Sequence, residues 1–537
     1  MSHDRANPSS SLLKEKLPAG ENMETTADIS TTRFLRALGT RKFALAAFLI
    51  PLGIRAIPEI IAGPYPIGFD PINYYIPMML SRPSLQMIVS SSPSPLYWIL
   101  QQALFNSLNP NPVILVKSIG TTLAGAVALS IYAYGKRVIE LSENWSLLGA
   151  LVASIYFISL RISWEEFRLM LGTVLLFGTL VMLNYESIGP RLLSIPSSFA
   201  AGLSHEFAAY GLLAILLWKA VSLSFRGGVT KSGRSFLYLI LLDALVVFAV
   251  LLRAFDVQYS SLSIDYGAGT ISANPLGSSA ILAGFALWAF LPILPLLVLT
   301  AKYHSRQSEE IIAWALSIGV TVAGIAVFFP GAVYIGVRLV ILLVYPLSLL
   351  VIIGLSRVSR EYGYFSRPIM GVAVISLVVI FTFSASYIAT YPENANPYFS
   401  QINPYLLYVP SSMLQNGVSV NDMNSLLVAV HWVHEKLSQG SVLVIHEAFE
   451  GAVALELGYP LPPDVVVVRL GSVTMNSQQQ MIDRLTTAAG SASDNGQTQV
   501  YTLWWDNGKG WYGISSLPLP FVNVFAEGSI GVYDYAI

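Results

Sequence analysis

Three short clusters hold the residues of this chain that could do chemistry. The first is Gly68-Phe69-Asp70-Pro71-Ile72-Asn73-Tyr74-Tyr75, directly after the first long apolar stretch. A carboxylate held among aromatic residues at a membrane surface can take a proton from a hydroxyl; the plainer reading is an amphipathic loop with an incidental acid. The second cluster places two carboxylates and two arginines within eight residues: Arg161, Glu165, Glu166 and Arg168. Such a group can hold a divalent cation or a phosphate. Equally, Glu165 and Arg168 at i,i+3 can form an exposed ion pair worth a few tenths of a kcal/mol. The third is Arg338 in Tyr334-Ile-Gly-Val-Arg338, ahead of Tyr345-Pro346. A guanidinium there can clamp a phosphate bidentately while staying charged, or it can snorkel to the interface. Arg55 admits the same two readings. His205, between two apolar segments, is a helix-end histidine or a ligand of substrate.

These residues are positioned by a very apolar chain. Of 537 residues, 54% are hydrophobic and 11% charged, less than half the roughly 25% charge usual in soluble domains. Several runs of about 18 or more nearly uncharged residues are long enough to cross a hydrocarbon core of about 30 Å. The fold class is therefore a polytopic α-helical membrane protein. Spans are predicted near 43–61, 112–134, 145–161, 169–185, 191–204, 206–222, 235–253, 276–300, 310–329, 338–355 and 367–389, eleven in all, with up to thirteen on a looser count. The segment 94–109 is apolar but short and carries Gln101, Gln102 and Asn106; it reads as a helix lying along the interface. Residues 1–40 read as a disordered tail, with no apolar core preceding Arg33.

Charge bias assigns the sides. With the N-terminus cytoplasmic and 94–109 not crossing, fifteen Lys and Arg fall in inside loops and five outside. Crossing by 94–109 would reverse most of that bias. Asp70 in its long first outer loop (62–111), the Arg161–Arg168 stretch, His205 and Arg338 then share the outer face. Asp243 and Lys117 fall within spans, where an ionisable residue is a functional candidate by default; a neighbouring hydroxyl is the expected partner of Asp243. No basic patch points to nucleic acid, and the absence of Cys excludes disulfides and thiol chemistry.

After about residue 391 polar residues return. A helix is predicted over 422–437, then strands at 441–446, 465–470 and 500–505 alternating with helices at 447–457 and 475–489. The pattern is that of a small extracytoplasmic α/β domain spanning 391–537. His434 and Glu435 are adjacent, and with His431 they do not make a metal-binding spacing.

Taken together, the chain resembles the C-type membrane glycosyltransferase superfamily, especially its archaeal members. The resemblance rests on Gly68-Phe69-Asp70 with Tyr74 and Tyr75 after the first span, on an acid beside an arginine in the next outer loop (Glu165 with Arg168, Glu166 as alternative), and on Arg338 running into Tyr345-Pro346. It implies a multi-pass cell-membrane enzyme that moves a sugar from a polyprenyl-phosphate donor to a glycan, lipid or protein acceptor at the outer face. Asp70 would be the catalytic base and Glu165 its helper, with a shared divalent cation, Mg or Mn. Arg338, Arg168, Arg55, Tyr74, Glu166 and His205 would bind substrate. The chain departs from the oligosaccharyltransferases in lacking an Asp-x-Asp at residue 70 and in carrying Trp504-Trp505-Asp506 without its usual flanks. The competing reading is a transporter, or a non-catalytic scaffold with a partner-binding outer domain.

Overall fold

The computed structural model describes residues 25–537 except 226–230, 262–273, 304–307, 362–366, 391–419, 438–440, 447–448, 469–477, 495–498, 507–513, 515 and 537. The chain divides into two units, 1–43 and 44–537, and every contact below lies within the second. Residues 1–24, most of the expected tail, lie outside the described residues. From Thr25 the chain is helical, within the helix Thr25–Ile61.

Among the described residues seven helices are long and apolar enough to cross a membrane: Arg41–Ile61, Pro112–Arg137, Glu206–Phe225, Gly233–Val257, Glu309–Phe328, Ile335–Glu361 and Gly371–Ala389. Two further predicted spans are bent pairs, which bring the count to nine. Glu143–Ile155 and Phe157–Glu165 meet at 62°. No proline causes that break; Tyr156 leaves the helical region, its hydroxyl donates to the Ala289 carbonyl at 2.7 Å, and Ser159 takes up the freed Ala153 carbonyl. Pro275–Phe290 and Leu294–Thr300 meet at 81°, in a stretch where Pro292 and Pro295 remove two backbone donors.

The remaining two of the eleven predicted spans are shorter. Phe167–Leu183 has 17 residues. Ser194–Ser204 has 11, only about 16 Å at 1.5 Å per residue. It returns along Phe167–Leu183, with Thr179 donating to Ser197 at 2.9 Å. The stretch 94–109 forms the 13-residue helix Leu96–Leu108, about 20 Å long and too short to cross. Its Leu100, Leu104 and Leu108 are exposed, while Gln101 and Gln102 are buried.

The two charged groups inside spans have local partners. Asp243 is fully buried and accepts hydroxyl hydrogen bonds from Ser194 at 2.6 Å and Ser198 at 3.0 Å. Lys117 donates to the Glu59 and Gly63 carbonyls at 2.8 and 2.7 Å, capping the end of the first span.

The C-terminal region folds as a five-stranded sheet flanked by helices. Its strands are β1 (Ser441–His446), β2 (Val465–Val468), β3 (Gln499–Trp505), β4 (Phe521–Glu527) and β5 (Ile530–Tyr535), in the order β2-β1-β3-β5-β4. β1 pairs in parallel with both β2 and β3, whereas β5 is antiparallel to β3 and β4. β1 is buried along its whole length, as a central strand covered on both faces must be. Leu443 and Ile445 face the helices Val420–Lys436 and Glu450–Leu457. Val442 and Val444 face the helix Gln478–Asp494.

Candidate functional site: a charged cleft at one end of the bundle

The loop that carries Asp70 is pinned from three sides. Gly68 has φ +94°, and a Cβ there would lie 2.6 Å from the Trp164 carbonyl, so only glycine fits. This contact seats the loop on the end of the helix Phe157–Glu165. Asp70 then opens a π-helical turn, Pro71–Tyr75. Tyr75 at its end is buried: its hydroxyl donates to the Glu165 carbonyl at 2.7 Å and accepts from the Phe167 amide at 3.1 Å. Its ring stacks on Phe167 at 4.9 Å, and its own carbonyl accepts from Gln101 at 2.7 Å. One tyrosine thus ties together the Asp70 turn, the helix Leu96–Leu108 and the Glu165–Phe167 corner.

That corner separates the roles of two adjacent acids. Glu165 is buried and turned inward, in an ion pair with Arg161 one helical turn earlier, and it accepts the backbone N–H of Phe69. Glu166 sits at the break between two helices, with φ −97° and ψ 57°, and faces the cleft. One of its oxygens lies 3.8 Å from Arg338 Nε; the other lies 3.7 Å from His205 Nε2. Arg338 is half exposed, whereas His205 is buried.

His205 stands in extended conformation between the helices Ser194–Ser204 and Glu206–Phe225. Its Nδ1 accepts the Phe207 amide at 3.1 Å, which leaves the neutral ring's proton on Nε2, toward Glu166. On its far side Glu206 accepts from the Ser94 hydroxyl at 2.9 Å. Arg168 lies over the Trp98 ring at 5.8 Å, within electrostatic reach of Glu206, Glu166 and Asp70.

These charges act on Asp70, which is partly exposed. Burial first, then the carboxylates of Glu166 and Glu165, push its carboxyl well above the ordinary range, against an opposing pull from Arg338 and Arg161. Glu166 goes the other way. Burial would raise it, but Arg338, His205 and Arg168 together outweigh burial and hold it below the ordinary carboxylate range. Two neighbouring carboxyls with affinities driven apart are suited to different tasks: one can take up and release a proton, the other stays ionised.

Among the predicted site residues, Asp70, Glu166, Arg168, Arg338 and His205 are therefore gathered around one cleft. Three are not. Glu165 is taken up by Arg161 and the Phe69 amide. Arg55 is fully buried, pairs with Glu59 at 2.7 Å, donates to the Ser163 carbonyl at 3.2 Å and lies over the Trp164 ring at 5.5 Å, all structural partners. Tyr74 is exposed and packs edge-on against Phe69 at 5.7 Å. Glu206 and Ser94 join the site without having been singled out, and Arg161 and Tyr75, members of the clusters read from the sequence, serve as the partner of Glu165 and the anchor of the turn. Arg161 stands at i−4 from Glu165 on the same helix face.

The expected divalent cation does not fit this donor set. Among the described residues no group of three or more His, Asp and Glu side chains is arranged to hold a metal ion. Glu165, the expected second ligand, already neutralises Arg161. No step below runs through a metal.

Away from the charges, an open groove of about 630 Å³ runs along Val378, Phe381, Thr382, Ala385, Ser386 and Ala389 of the last span. Its lining is apolar apart from two hydroxyls. Tyr387 of the same helix packs against Trp164 with the rings tilted and their centres 4.6 Å apart.

Fold and cleft define a class: a multi-pass membrane protein whose charged site lies at one end of a helical bundle, beside a C-terminal α/β domain. No family model matches the chain, and no curated protein matches it. Among solved structures it is similar to ArnT from Cupriavidus metallidurans in the apo state, at 13% identity over 95% of this chain and 98% of that one, with a TM-score of 0.47. It is also similar to the apo oligosaccharyltransferase of Archaeoglobus fulgidus, at 11% identity over 86% and 69%, TM-score 0.47. The latter protein tethered to an acceptor peptide containing the NVT sequon gives 10% identity over the same shares and a TM-score of 0.48. Similarity at this level carries no residue-by-residue correspondence, and function is argued from the chain's own geometry.

Proposed function

We propose that this protein is a membrane glycosyltransferase that takes a sugar from a polyprenyl-phosphate donor and passes it to an acceptor hydroxyl or amide at the outer membrane face. The observation that carries the reading is that Asp70, Glu166 and Arg338, far apart in sequence, lie within electrostatic reach of one another, with Arg338 3.8 Å from Glu166. A proton acceptor beside a guanidinium is what transfer from a phosphate leaving group needs.

In this reading Asp70 removes the proton of the acceptor as the acceptor heteroatom forms its bond to the anomeric carbon. The bond from that carbon to the phosphate oxygen breaks, and the polyprenyl phosphate leaves with the electron pair. Negative charge grows on the phosphate, where Arg338 and Arg168 stabilise it more than they stabilise the bound donor. Glu166 keeps its charge throughout, holding Arg338 at the cleft and keeping Asp70 basic. The hydrocarbon tail lies against apolar surface such as the groove at Val378–Ala389.

The transporter or scaffold reading draws on Asp243, Lys117 and the lack of a full metal motif. Local hydroxyl and carbonyl groups take up both charged residues, which leaves the lack of a metal motif among the described residues as its support. The test is direct. Purified protein in nanodiscs is incubated with radiolabelled polyprenyl-phosphate sugars and a panel of glycan, lipid and peptide acceptors. Transfer that disappears in Asp70→Asn while the variant stays folded supports the proposal; no transfer from any donor, or transfer unaffected by that substitution, removes it.

A further inference from the structure

The C-terminal domain meets the Asp70 loop at Tyr65, Ile72 and Asn73, and of these Asn73 also bonds the backbone that enters the acid. Asn73 is buried, at 6% exposure, three residues after Asp70. Its Nδ2 donates to the Phe69 carbonyl at 3.2 Å, across the residue preceding the acid. Its Oδ1 accepts the backbone N–H of Gly451 at 3.2 Å, in the first turn of the helix Glu450–Leu457. The two surfaces touch closely there: a Cβ on Gly451 would fall 1.8 Å from the Ile72 carbonyl, backbone that cannot step aside. Ile72 itself is buried in the core of the C-terminal domain with Met423, Leu426 and Val453. Tyr65, earlier in the same loop, donates to Asn424 at 3.0 Å. The turn that presents Asp70 is thus packed as part of the C-terminal domain on one side and as part of the bundle, through Gly68 and Tyr75, on the other.

We infer that Asn73 is a positioning residue through which the C-terminal domain sets where the Asp70 carboxyl stands in the cleft. The inference rests on the reading of Asp70 as the proton acceptor, but its mechanical content does not. Asn73 touches no reacting group; it fixes the carbonyl of Phe69 and hence the backbone entering Asp70. A displacement of the helix Glu450–Leu457, by anything that binds the C-terminal domain, moves the Asn73 acceptor and with it the acid. The groups that face Asp70 from the bundle are Glu166, Glu165, Arg338 and Arg161, which act on its carboxyl electrostatically.

Two measurements on the full-length protein in nanodiscs test this. The first is hydrogen exchange of backbone amides in the wild type and in Asn73→Ala. In the wild type, segments 69–75 and 450–457 open together, with the same rate and temperature dependence. In the variant, 69–75 exchanges roughly 30-fold faster, as expected for the two hydrogen bonds that Asn73 makes, while Phe167–Leu183 keeps its protection. The second is the pH profile of carbodiimide labelling at Asp70, with Asp70→Asn as blank; only the protonated acid reacts. Loosening the turn exposes Asp70 to water, so the labelling midpoint moves to lower pH in Asn73→Ala.

Independent opening of the two wild-type segments overturns the inference even if the variant does not fold. Faster exchange with an unmoved midpoint overturns it too, because Asn73 would then serve packing alone. Absence of sugar transfer in the wild type would instead count against the proposed activity and leave the coupling of Asn73 to Asp70 standing.

Discussion

Arg338 and Glu166 face each other across the cleft at 3.8 Å, and the other Glu166 oxygen lies 3.7 Å from His205. Neither distance is a tight hydrogen bond. Glu166 is suspended between a half-exposed cation and a buried ring, so its charge is available to both and neutralised by neither. Asp70, in the field of Glu166, gains proton affinity from that arrangement.

The first prediction concerns pH. Asp70 must be ionised to act as a base, and its folded affinity for protons is raised. Sugar transfer therefore rises with pH along an acidic limb whose midpoint lies above the ordinary aspartate value of about 3.9. The stability sign is the opposite. A raised acid favours folding fully below its unfolded pKa, and that contribution is lost as pH rises through the folded value. Asp70→Asn is expected to lower transfer by about 10²–10⁴-fold and to melt no lower than wild type at pH 7. A pH–rate profile and a melting curve check the two halves.

The second prediction separates Glu166 from Asp70. Glu166→Gln removes a like charge from beside Asp70, so the acidic limb moves to lower pH while Arg338 loses the carboxylate it faces and transfer falls. Glu166 is itself depressed, so its contribution to stability is present above its unfolded pKa and is lost as pH falls through the folded one. The wild type thus loses more stability than Glu166→Gln on acidification below pH 4. An unmoved limb in this variant would mean that Glu166 does not act on Asp70.

Legibility followed chemistry where the signal was local. Asp70, Arg338 and the Glu165–Glu166 pair stand at the ends of long apolar runs, and charge at a span end is readable from composition alone. Which of two adjacent acids faces the cleft is not. It depends on a 62° bend at Tyr156 and on Arg161 claiming Glu165 one turn away. Arg55 is turned to Glu59 for a similar reason, since that carboxylate at i+4 takes its guanidinium. In the C-terminal domain β1, β2 and β3 are legible as short runs rich in β-branched or aromatic residues, of which β1 and β3 are buried and β2 is partly exposed. The hairpin β4–β5 was not marked, although Gly528-Ser529 between two alternating stretches is a recognisable two-residue turn. Gly528 has φ +57° and no room for a Cβ beside Ser425. Asn73 gave no signal at all, because its importance lies in Gly451, 378 positions away.

A third prediction tests the division of labour between the acids. Arg161 and Glu165 are both buried, and removing one partner of a buried pair leaves an uncompensated charge at a cost of about 3–5 kcal/mol. Glu165→Gln is expected to lower thermal stability by an amount of that order. Glu166→Gln also loses the contribution its depressed carboxylate makes at pH 7, but it is expected to lower melting less than Glu165→Gln does, because the Arg338 it faces is half exposed. Equal destabilisation by the two substitutions would contradict the assignment.

A fourth prediction concerns the donor. If Arg338 stabilises the leaving phosphate, Arg338→Ala lowers kcat by about 10²–10³-fold, the scale for loss of one preorganised electrostatic group. Arg338→Lys keeps charge but not the planar fork and recovers only part of that loss. Arg55→Lys keeps the charge that Glu59 needs and is expected to leave KM for a lipid-linked donor unchanged. A large KM effect there would return Arg55 to the substrate.

The last prediction is steric. Gly68 combines a backbone conformation that L-residues rarely adopt with a carbonyl 2.6 Å from where a Cβ would stand. Gly68→Ala must either pay about 1–3 kcal/mol of strain or lift the loop from Trp164. The two responses are distinguishable. Pure strain lowers the melting temperature but leaves the position of the acidic limb alone. Lifting the loop breaks the Phe69 amide contact to Glu165 and hydrates Asp70, so the limb shifts to lower pH as well. Since the Trp164 carbonyl belongs to the end of a helix fixed by Arg55 and Tyr387, it has little freedom to retreat. The loop is the part that yields, and both the melting temperature and the limb are expected to fall.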